Sequence, residues 1–398
     1  MTKCRICRNT TFKQIIDFGD NPLVNSLLNK EDLKKEEKIY PLVVDQCRNC
    51  FLIQTREPIN SHAIYTAQDY LYMSSDMPQL SEYFLDYAQD IKDRFLNSGD
   101  LVVEIGSNDG VLLKHFPAYR RLGVDPSTNV VIRALLDVPT LSAPFNYHNA
   151  KNIAKYWGKA KVIMANNCIA HIDDLHNVMR GIKALLDKNG VFVLECNYWG
   201  GMVKNKNYSL IYHDHYSYFT LKNWVDIANQ YNLKIIDALI TPAQGGSLRA
   251  FLSNNTKDEV SSRVEELLKE EQGLNSYETA KRYARECKKE AVKLHDLIEK
   301  ISQDSVIAGY GAAAKGFSVL KLANITEKHI KFFVDDSPAK QGKYTPITHI
   351  PIFSRQEVKD PDYFFITATN YEQIIVDKEQ DFLKNGGKFI TVDSRIIG

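Results

Sequence analysis

The sequence lacks any large imbalance of charge. Its 50 Lys and Arg stand against 49 Asp and Glu over 398 residues, a formal net charge of +1. That excludes the basic footprint selected by nucleic acid or an anionic membrane. It also lacks an apolar run long enough to span a bilayer. The opening residues MTKCRICRNT have no signal-peptide core, which predicts a cytoplasmic protein. No internal repeat or low-complexity tract is present. Cysteine is scarce, with 7 residues, and in a reducing compartment these read as ligands or core residues rather than disulfides. What is there is 44% hydrophobic and 25% charged residues, the balance of a soluble globular chain long enough for two or three domains.

Four of the cysteines form two knuckles, Cys4-x-x-Cys7 and Cys47-x-x-Cys50. Two such pairs complete a tetrahedral Cys4 site, the pattern of structural zinc, with no open position for chemistry. Free core thiols or a redox dithiol are the alternatives. A module this small depends on its metal to fold.

Leu101–Asp125, LVVEIGSNDGVLLKHFPAYRRLGVD, reads as strand, tight turn, helix, strand. Gly106 and Gly110 flank Ser107, Asn108 and Asp109 in a turn that lets backbone approach a ligand closely. Val111, Leu112, His115 and Phe116 share one face of the expected helix. Asp125, followed by Pro126, closes the second strand about twenty residues after the first glycine, where an acid holds ribose hydroxyls. Glu104 precedes Gly106 by two. This E-x-G-x-x-x-G pattern resembles S-adenosylmethionine (SAM) methyltransferases; a ligand-free turn is the plain alternative.

The α/β rhythm continues downstream. A helix is expected over residues 78–96. In QDYLYMSSD, Tyr70 and Tyr72 either face one pocket or are simply half-buried. A strand over 161–164 ends at Asn166, Asn167 and, further on, His171, at the carboxyl end where ligands sit in open α/β sheets. His171 is otherwise a helix-start residue. A strand is expected over 190–195. The run IYHDHYSYFT, residues 211–220, crowds Tyr212, His213, Asp214, His215, Tyr216 and Tyr218 together. That density suits acid/base work. A metal is the rival, with His213 and His215 sharing one face of an extended segment. Arg249 either pairs with an anion or lies on the surface. Residues 257–303 are charged and helical in pattern, read as solvated linking helices. Gly309-x-Gly311-x-x-Ala314 then matches a dinucleotide fingerprint, weakly, because close helix packing also selects small residues. Lys315 begins the following helix as a candidate diphosphate partner.

These motifs in their order resemble the SAM-dependent sugar C-methyltransferases that make branched deoxysugars from nucleotide-linked ketosugars. The resemblance covers the paired knuckles, LYMSSD, EIGSNDG, GVDPS, the ANN-x-x-AH run, YHDHYSYFT, GGSLR, GYGAAAKG and VDDSPAKQGKY ahead of HIPI. It implies an α/β protein with an N-terminal zinc module (1–65), a central SAM-binding domain (66–255), linking helices (256–303) and a C-terminal Rossmann-like domain (304–398). That last domain binds no nicotinamide and helps hold a dTDP- or other NDP-linked sugar. The resemblance makes His215 the base, with Tyr212, His171 and Tyr72 lining the sugar site and Tyr70 a rival to Tyr72. Glu104, Gly106–Gly110, Asp125, Pro126, Asn166 and Asn167 would surround SAM.

Two departures stand out: Asp214 replaces the family's Glu, and the segment before HIPI reads TPIT where the family has Pro-Gly-Thr. A ketone makes the neighbouring C–H acidic, so the chemistry needs a base over that proton and a donor to the enolate oxygen. His215 is expected as the base, oriented by Asp214 or another polar neighbour. Tyr212 or His171 is the oxyanion donor, with Arg249 and Lys315 at the diphosphate. The rivals are an O- or N-methyltransferase, a nicotinamide oxidoreductase, and a non-catalytic zinc-containing interaction protein.

Overall fold

Runs rich in β-branched and aromatic residues, closed by Gly, Pro or Asn, become strands. The computed structural model describes residues 2–24, 26–59, 70, 72–76 and 78–398. The expected boundary at residue 65 lies outside them, as do Gln68, Asp69 and Leu71 of the tyrosine-rich stretch. Strands β1 (Phe12–Asn21), β2 (Tyr40–Cys47) and β3 (Ile53–Thr55) pair antiparallel. Next come β4 (Leu101–Ile105), β5 (Arg120–Asp125), β6 (Thr140–Ser142), β7 (Ala160–Asn166) and β8 (Leu186–Asn197). Then β9 (Ser217–Tyr218) leaves this series and pairs with β3, becoming the fourth strand of the N-terminal sheet. Strands β10 (Lys234–Thr241) and β11 (Ser247–Ser253) complete a seven-stranded sheet in the order β6-β5-β4-β7-β8-β11-β10. Its β4, β5, β6, β7 and β8 run parallel, and β11 pairs antiparallel with both neighbours. The order reverses beside β4, so a crevice opens at the carboxyl ends of β4 and β7.

Helix Pro78–Phe95 packs on this sheet through Phe84, Tyr87, Ala88 and Ile91, the 3–4 spacing of one face. The helix expected after Gly110 is absent, and a single 3-10 turn, Leu113–His115, replaces it. Pro117 pushes Phe116 out of the helical region, to φ −114° and ψ 45°, so too few residues remain before β5.

The third sheet has the order β14-β13-β12-β15-β16-β17, built from β12 (Ile307–Tyr310), β13 (Ile330–Val334), β14 (Ile352–Phe353), β15 (Tyr363–Ile366), β16 (Lys388–Ile390) and β17 (Ile396–Ile397). Between the sheets run helices Ser262–Glu270 and Tyr277–Ser302. The second is no solvated linker. Its Ala280, Tyr283, Ala284, Cys287, Ala291, Leu294 and Ile298 are buried in one cluster with Ile16, Phe18 and Val44 of the first sheet and Ile307, Ile330 and Phe365 of the third. The charged residues that suggested a linker line its outer face. No helix among the described residues is long and apolar enough to cross a membrane.

The N-terminal sheet is closed by its cysteines. In each knuckle the residue after the second Cys turns left-handed, Arg8 at φ 60° and Phe51 at φ 61°. The four Sγ atoms lie within 4.8 Å of one another, with Cys4–Cys50 at 3.4 Å and Cys7–Cys47 at 3.5 Å. None of the four is in a disulfide. A tetrahedron with Zn–S near 2.3 Å has edges of about 3.8 Å, so the four sulfurs fit one zinc. Metal analysis should find about one zinc per chain. Cys47→Ser should lower Tm by about 10 °C or more, the loss of several kcal/mol of metal-linked folding energy; metal-free protein of unchanged Tm would contradict this.

The N-terminal loop also grips the third sheet. Leu28 and Tyr344 exchange backbone hydrogen bonds of 2.9 Å, and Glu37 accepts the Ile347 N–H at 2.8 Å and meets His349 Nε2 at 2.7 Å. Ile347 stands where the resembling family has glycine, and it adopts φ 63°. A β-branched residue there costs about 1–2 kcal/mol. Ile347→Gly should therefore hold or raise Tm in a calorimetric scan, and a clear fall would show that the side chain, 49% exposed, carries an unseen contact.

Candidate active site

The turn after β4 is built around missing side chains and buried acids. Gly106 sits at φ 65°, and a Cβ there would meet Cys168 Cβ at 2.5 Å. Asn108, at φ 50°, carries the chain onward. Asp125, at the end of β5, accepts from Asn108 N at 3.0 Å and Ser127 N at 2.9 Å. The 72–76 segment lies against this turn. Ser74 N donates to Asn108 Oδ1, Asn108 Nδ2 to the Tyr72 carbonyl, and Ser75 N to Asp109 Oδ2. Glu104, Asp109 and Asp125 are all buried. Burial, then the charges of Asp125 and Asp109, push the Glu104 carboxyl up to about 8, against a hydrogen bond from Asn166. Burial also raises Asp125. Among the described residues, Glu104 Oε2, Ser107 Oγ, Asp109 Oδ1, Asn166 Oδ1 and Asn167 Oδ1 are buried polar atoms without a protein partner. Three buried acids, two of them with an open oxygen, beside a backbone lacking Cβ atoms suit a cation carrying a ribose.

Across the crevice stand the histidines and tyrosines. Residues 211–216 are not extended as expected; they turn, and only Ser217–Tyr218 is strand. Ile211 N donates to the Tyr208 carbonyl and His215 N to the Tyr212 carbonyl. This separates the two histidines. His213 faces Tyr40, with its Nε2 3.2 Å from the Tyr40 carbonyl. His215 turns inward, its ring 4.8 Å from that of His171 and 4.1 Å from that of Tyr212. Its Nδ1 lies 2.7 Å from the Leu210 carbonyl. A carbonyl only accepts, so Nδ1 carries the proton and Nε2 offers its lone pair to Tyr212 OH at 2.9 Å. The Asn197 amide, at the end of β8, lies 3.2 Å from the ring. Burial, then the neighbouring His171, holds the His215 pKa well below its ordinary value, and burial brings His171 down to about 4. Both rings are therefore neutral at pH 7.

His171 hydrogen-bonds to the backbone of Asn167 and of Asp214. Tyr212, Tyr70 and Tyr72 are electrostatic neighbours, and burial followed by the Asp214 charge raises the Tyr212 and Tyr70 phenols well above 10. So the fold brings together Tyr70, Tyr72, His171, Tyr212, Asp214 and His215. The His215 ring takes its orientation from Leu210 and Tyr212, whereas the buried Asp214 carboxylate acts on the tyrosines. Lys315, half-buried as a residue, has an ammonium that burial brings down to about 7 and whose charge reaches His215. Its helix, Ala314–Leu322, docks on the turn through Ser318 Oγ, which donates to the Ile211 carbonyl.

Arg249 is placed elsewhere than expected. It pairs across strands with Glu195, Nε to Oε2 at 2.9 Å, donates to Tyr83 OH at 2.7 Å and lies 3.6 Å over the Tyr87 ring. Its Nε and Nη2 are engaged inside the protein by Glu195 and Tyr83 rather than by the anion expected of it. Glu195, Asn197 and the Leu210 carbonyl escaped the sequence reading. The strand-end rule that flagged Asn166 would also have flagged Asn197; the other two depend on cross-strand register and a turn.

The fold and this crevice define a SAM-dependent methyltransferase. Family models match in three stretches: a zinc binding domain over residues 4–65, a methyltransferase domain over 79–238 and a C-methyltransferase C-terminal domain over 242–392. The C-methyltransferase NovU of Streptomyces niveus is 33% identical over 398 residues, covering 98% of this chain and 94% of NovU. The chain thus belongs to the C-methyltransferase family that includes NovU. A tRNA U34 carboxymethyltransferase of Campylobacter jejuni matches a 149-residue stretch at 31% identity, 34% of this chain and 51% of that protein. Among solved structures, magnesium protoporphyrin IX methyltransferase of Synechocystis PCC 6803 with bound SAM aligns over 44% of this chain and 78% of its own, at 12% identity and TM-score 0.33.

Glu104 generates a sharp expectation. Its carboxyl is raised in the fold, so the native state holds that proton more tightly than the unfolded chain. The associated stability is present below 4.5 and lost as pH rises through about 8. Glu104→Gln should raise the ligand-free Tm at pH 8 relative to the parent, yet shrink the Tm rise produced by SAM. Asp125→Ala should weaken SAM binding by about tenfold to a hundredfold in calorimetry, about 1.5–3 kcal/mol of hydrogen bonding. Unchanged SAM affinity in both variants would move the site away from this turn.

Proposed function

We propose that this C-methyltransferase acts on a nucleotide-linked ketosugar, placing a methyl group on the carbon beside the ketone in the cytoplasmic synthesis of a branched deoxysugar. The observation that carries the reading is the buried, neutral imidazole–phenol pair, His215 Nε2 to Tyr212 OH at 2.9 Å, facing a second neutral imidazole on His171. SAM, when bound, supplies an electrophilic methyl on a sulfonium. His215 takes the proton from the carbon next to the ketone, directly or through the Tyr212 hydroxyl already on its lone pair. The C–H electron pair moves into the enolate, and Tyr212, Tyr72 or His171 donates to the developing oxygen. Burial excludes water that would protonate the enolate.

Support for the sugar comes from the motif resemblance and from the many hydroxyl and imidazole groups lining the site. Lys315, at the start of the helix docked on the turn bearing His215, is the group proposed to meet the diphosphate. An O- or N-methyltransferase would have no need of enolate chemistry. The oxidoreductase reading loses its motif, because the glycines have packing reasons. A Cβ on Gly309 would enter the Phe333 ring at 2.2 Å, and one on Gly311 would meet Ala368 Cβ at 2.6 Å.

The test is His215→Asn on a panel of nucleotide ketosugars. Methyl transfer is followed by mass, and α-proton exchange by deuterium uptake without SAM. Turnover and exchange should fall together by about 10²–10⁴, with SAM affinity unchanged. Because the His215 pKa is depressed, the neutral base persists on the acid side, and parent kcat should hold until well below pH 6.5. Exchange at the parental rate in the variant would remove His215 from the role.

A further inference from the structure

Arg5 lies inside the first zinc knuckle, between Cys4 and Ile6, yet its side chain points to the other end of the molecule's chemistry. It is 3% exposed. Its Nε donates to Asp173 Oδ1 at 2.8 Å, and Nη1 donates to the carbonyls of Thr55 at 3.0 Å and Tyr216 at 2.9 Å. The guanidinium carbon lies 5.4 Å from the Tyr216 ring centre. Asp173 is two residues after His171, and Tyr216 is the residue after His215. The same two segments are joined by Tyr216 N donating to the Ala170 carbonyl at 2.7 Å. One planar cation thus holds the segments that carry both site histidines, and its own backbone is fixed by Gln54, whose Oε1 accepts Arg5 N at 3.1 Å. Guanidinium geometry allows these divergent, simultaneous contacts; an ammonium would not reproduce them.

We propose that Arg5 is a positioning residue, clamping the His171 and His215 segments to the zinc knuckle so that the two rings keep their mutual placement. The metal site is then more than a folding staple: the knuckle's conformation, which the thiolates and zinc hold, sets where Arg5 stands. The consequence for catalysis rests on His215 being the base.

The test uses the full-length zinc-loaded protein labelled with ¹⁵N-histidine. Ring-nitrogen spectra report the tautomer of His215, assigned by its loss in His215→Asn. The parent should show a single Nδ1–H form. Arg5→Gln should keep about one zinc per chain and parental SAM affinity, while the His215 signal shifts toward tautomer exchange. Arg5→Lys should recover the parental spectrum only in part, and turnover should fall about tenfold to a hundredfold in step with it. A parental His215 spectrum in zinc-loaded Arg5→Gln overturns the proposal. If Arg5→Gln does not fold with zinc, Asp173→Asn decides, because that carboxylate is half-exposed and outside the knuckle: a smaller shift of the same signal supports the clamp, and none overturns it. The spectrum needs no substrate, so its failure is separate from failure of the His215→Asn exchange test.

Discussion

The backbone of Tyr216 ties together most of what matters in this protein. Its N–H goes to Ala170 beside β7, and its carbonyl accepts from both Thr55 N at 3.0 Å and the Arg5 guanidinium. The next two residues are β9, the fourth strand of the N-terminal sheet. A chain that leaves one sheet, edges another and returns has little freedom in the turn it makes on the way. The His215 ring is carried by that turn, so its place is set by main-chain bonds at both ends. Buried peptide groups must be paired, and here the pairing crosses from the zinc module to the methyltransferase sheet.

The two sides of the crevice are prepared differently. The turn after β4 concentrates three buried acids, and Glu104 is forced up toward neutrality by desolvation and by its neighbours. Such a cluster is costly without a cation. On the other side both imidazoles are held down by burial and the phenols are held up by burial and the Asp214 charge, so the histidines and tyrosines themselves are neutral. A neutral lone pair is what proton abstraction from a weak carbon acid requires, and a cationic imidazole would be useless for it. Lys315, its ammonium brought down to about 7, is the one described cation whose charge reaches His215.

Local pattern made much of this legible. The β4 turn, both knuckles and the strand ending at Asn166 follow from alternation, glycine placement and cysteine spacing. What failed was non-local. The helix after Gly110 was lost to Pro117, whose effect outweighs the amphipathic spacing before it. The His213–Asp214–His215 run reads as extended until Leu210 and Tyr212 close turns within it. Arg249 looked free because its partner Glu195 lies 54 residues away and meets it only through the β8–β11 register. Helix Tyr277–Ser302 looked like a linker because its buried stripe is alanine-rich and its outer face highly charged.

The two strand–glycine–helix turns look alike in sequence, and their polar groups tell them apart. Around the first, Glu104 Oε2, Ser107 Oγ and Asp109 Oδ1 are buried with no described protein partner. Around the second, Asp335 accepts from Ala312 N and Ser337 N, as its counterpart Asp125 does from Asn108 N and Ser127 N, and additionally from Lys340 Nζ, and no buried acid oxygen among the described residues there is left open. Lys340 also reaches the Ala312 carbonyl. A Cβ on Gly311 would meet Ala368 Cβ at 2.6 Å, so closeness to the turn after β15 explains that glycine. Buried polar atoms left open demand a ligand, and saturated ones resist it, because entry would break bonds already made. The first turn is therefore the member of the pair whose hydrogen bonding leaves room for a ligand. The second is a packing device that presents its helix, and with it Lys315, to the turn bearing His215.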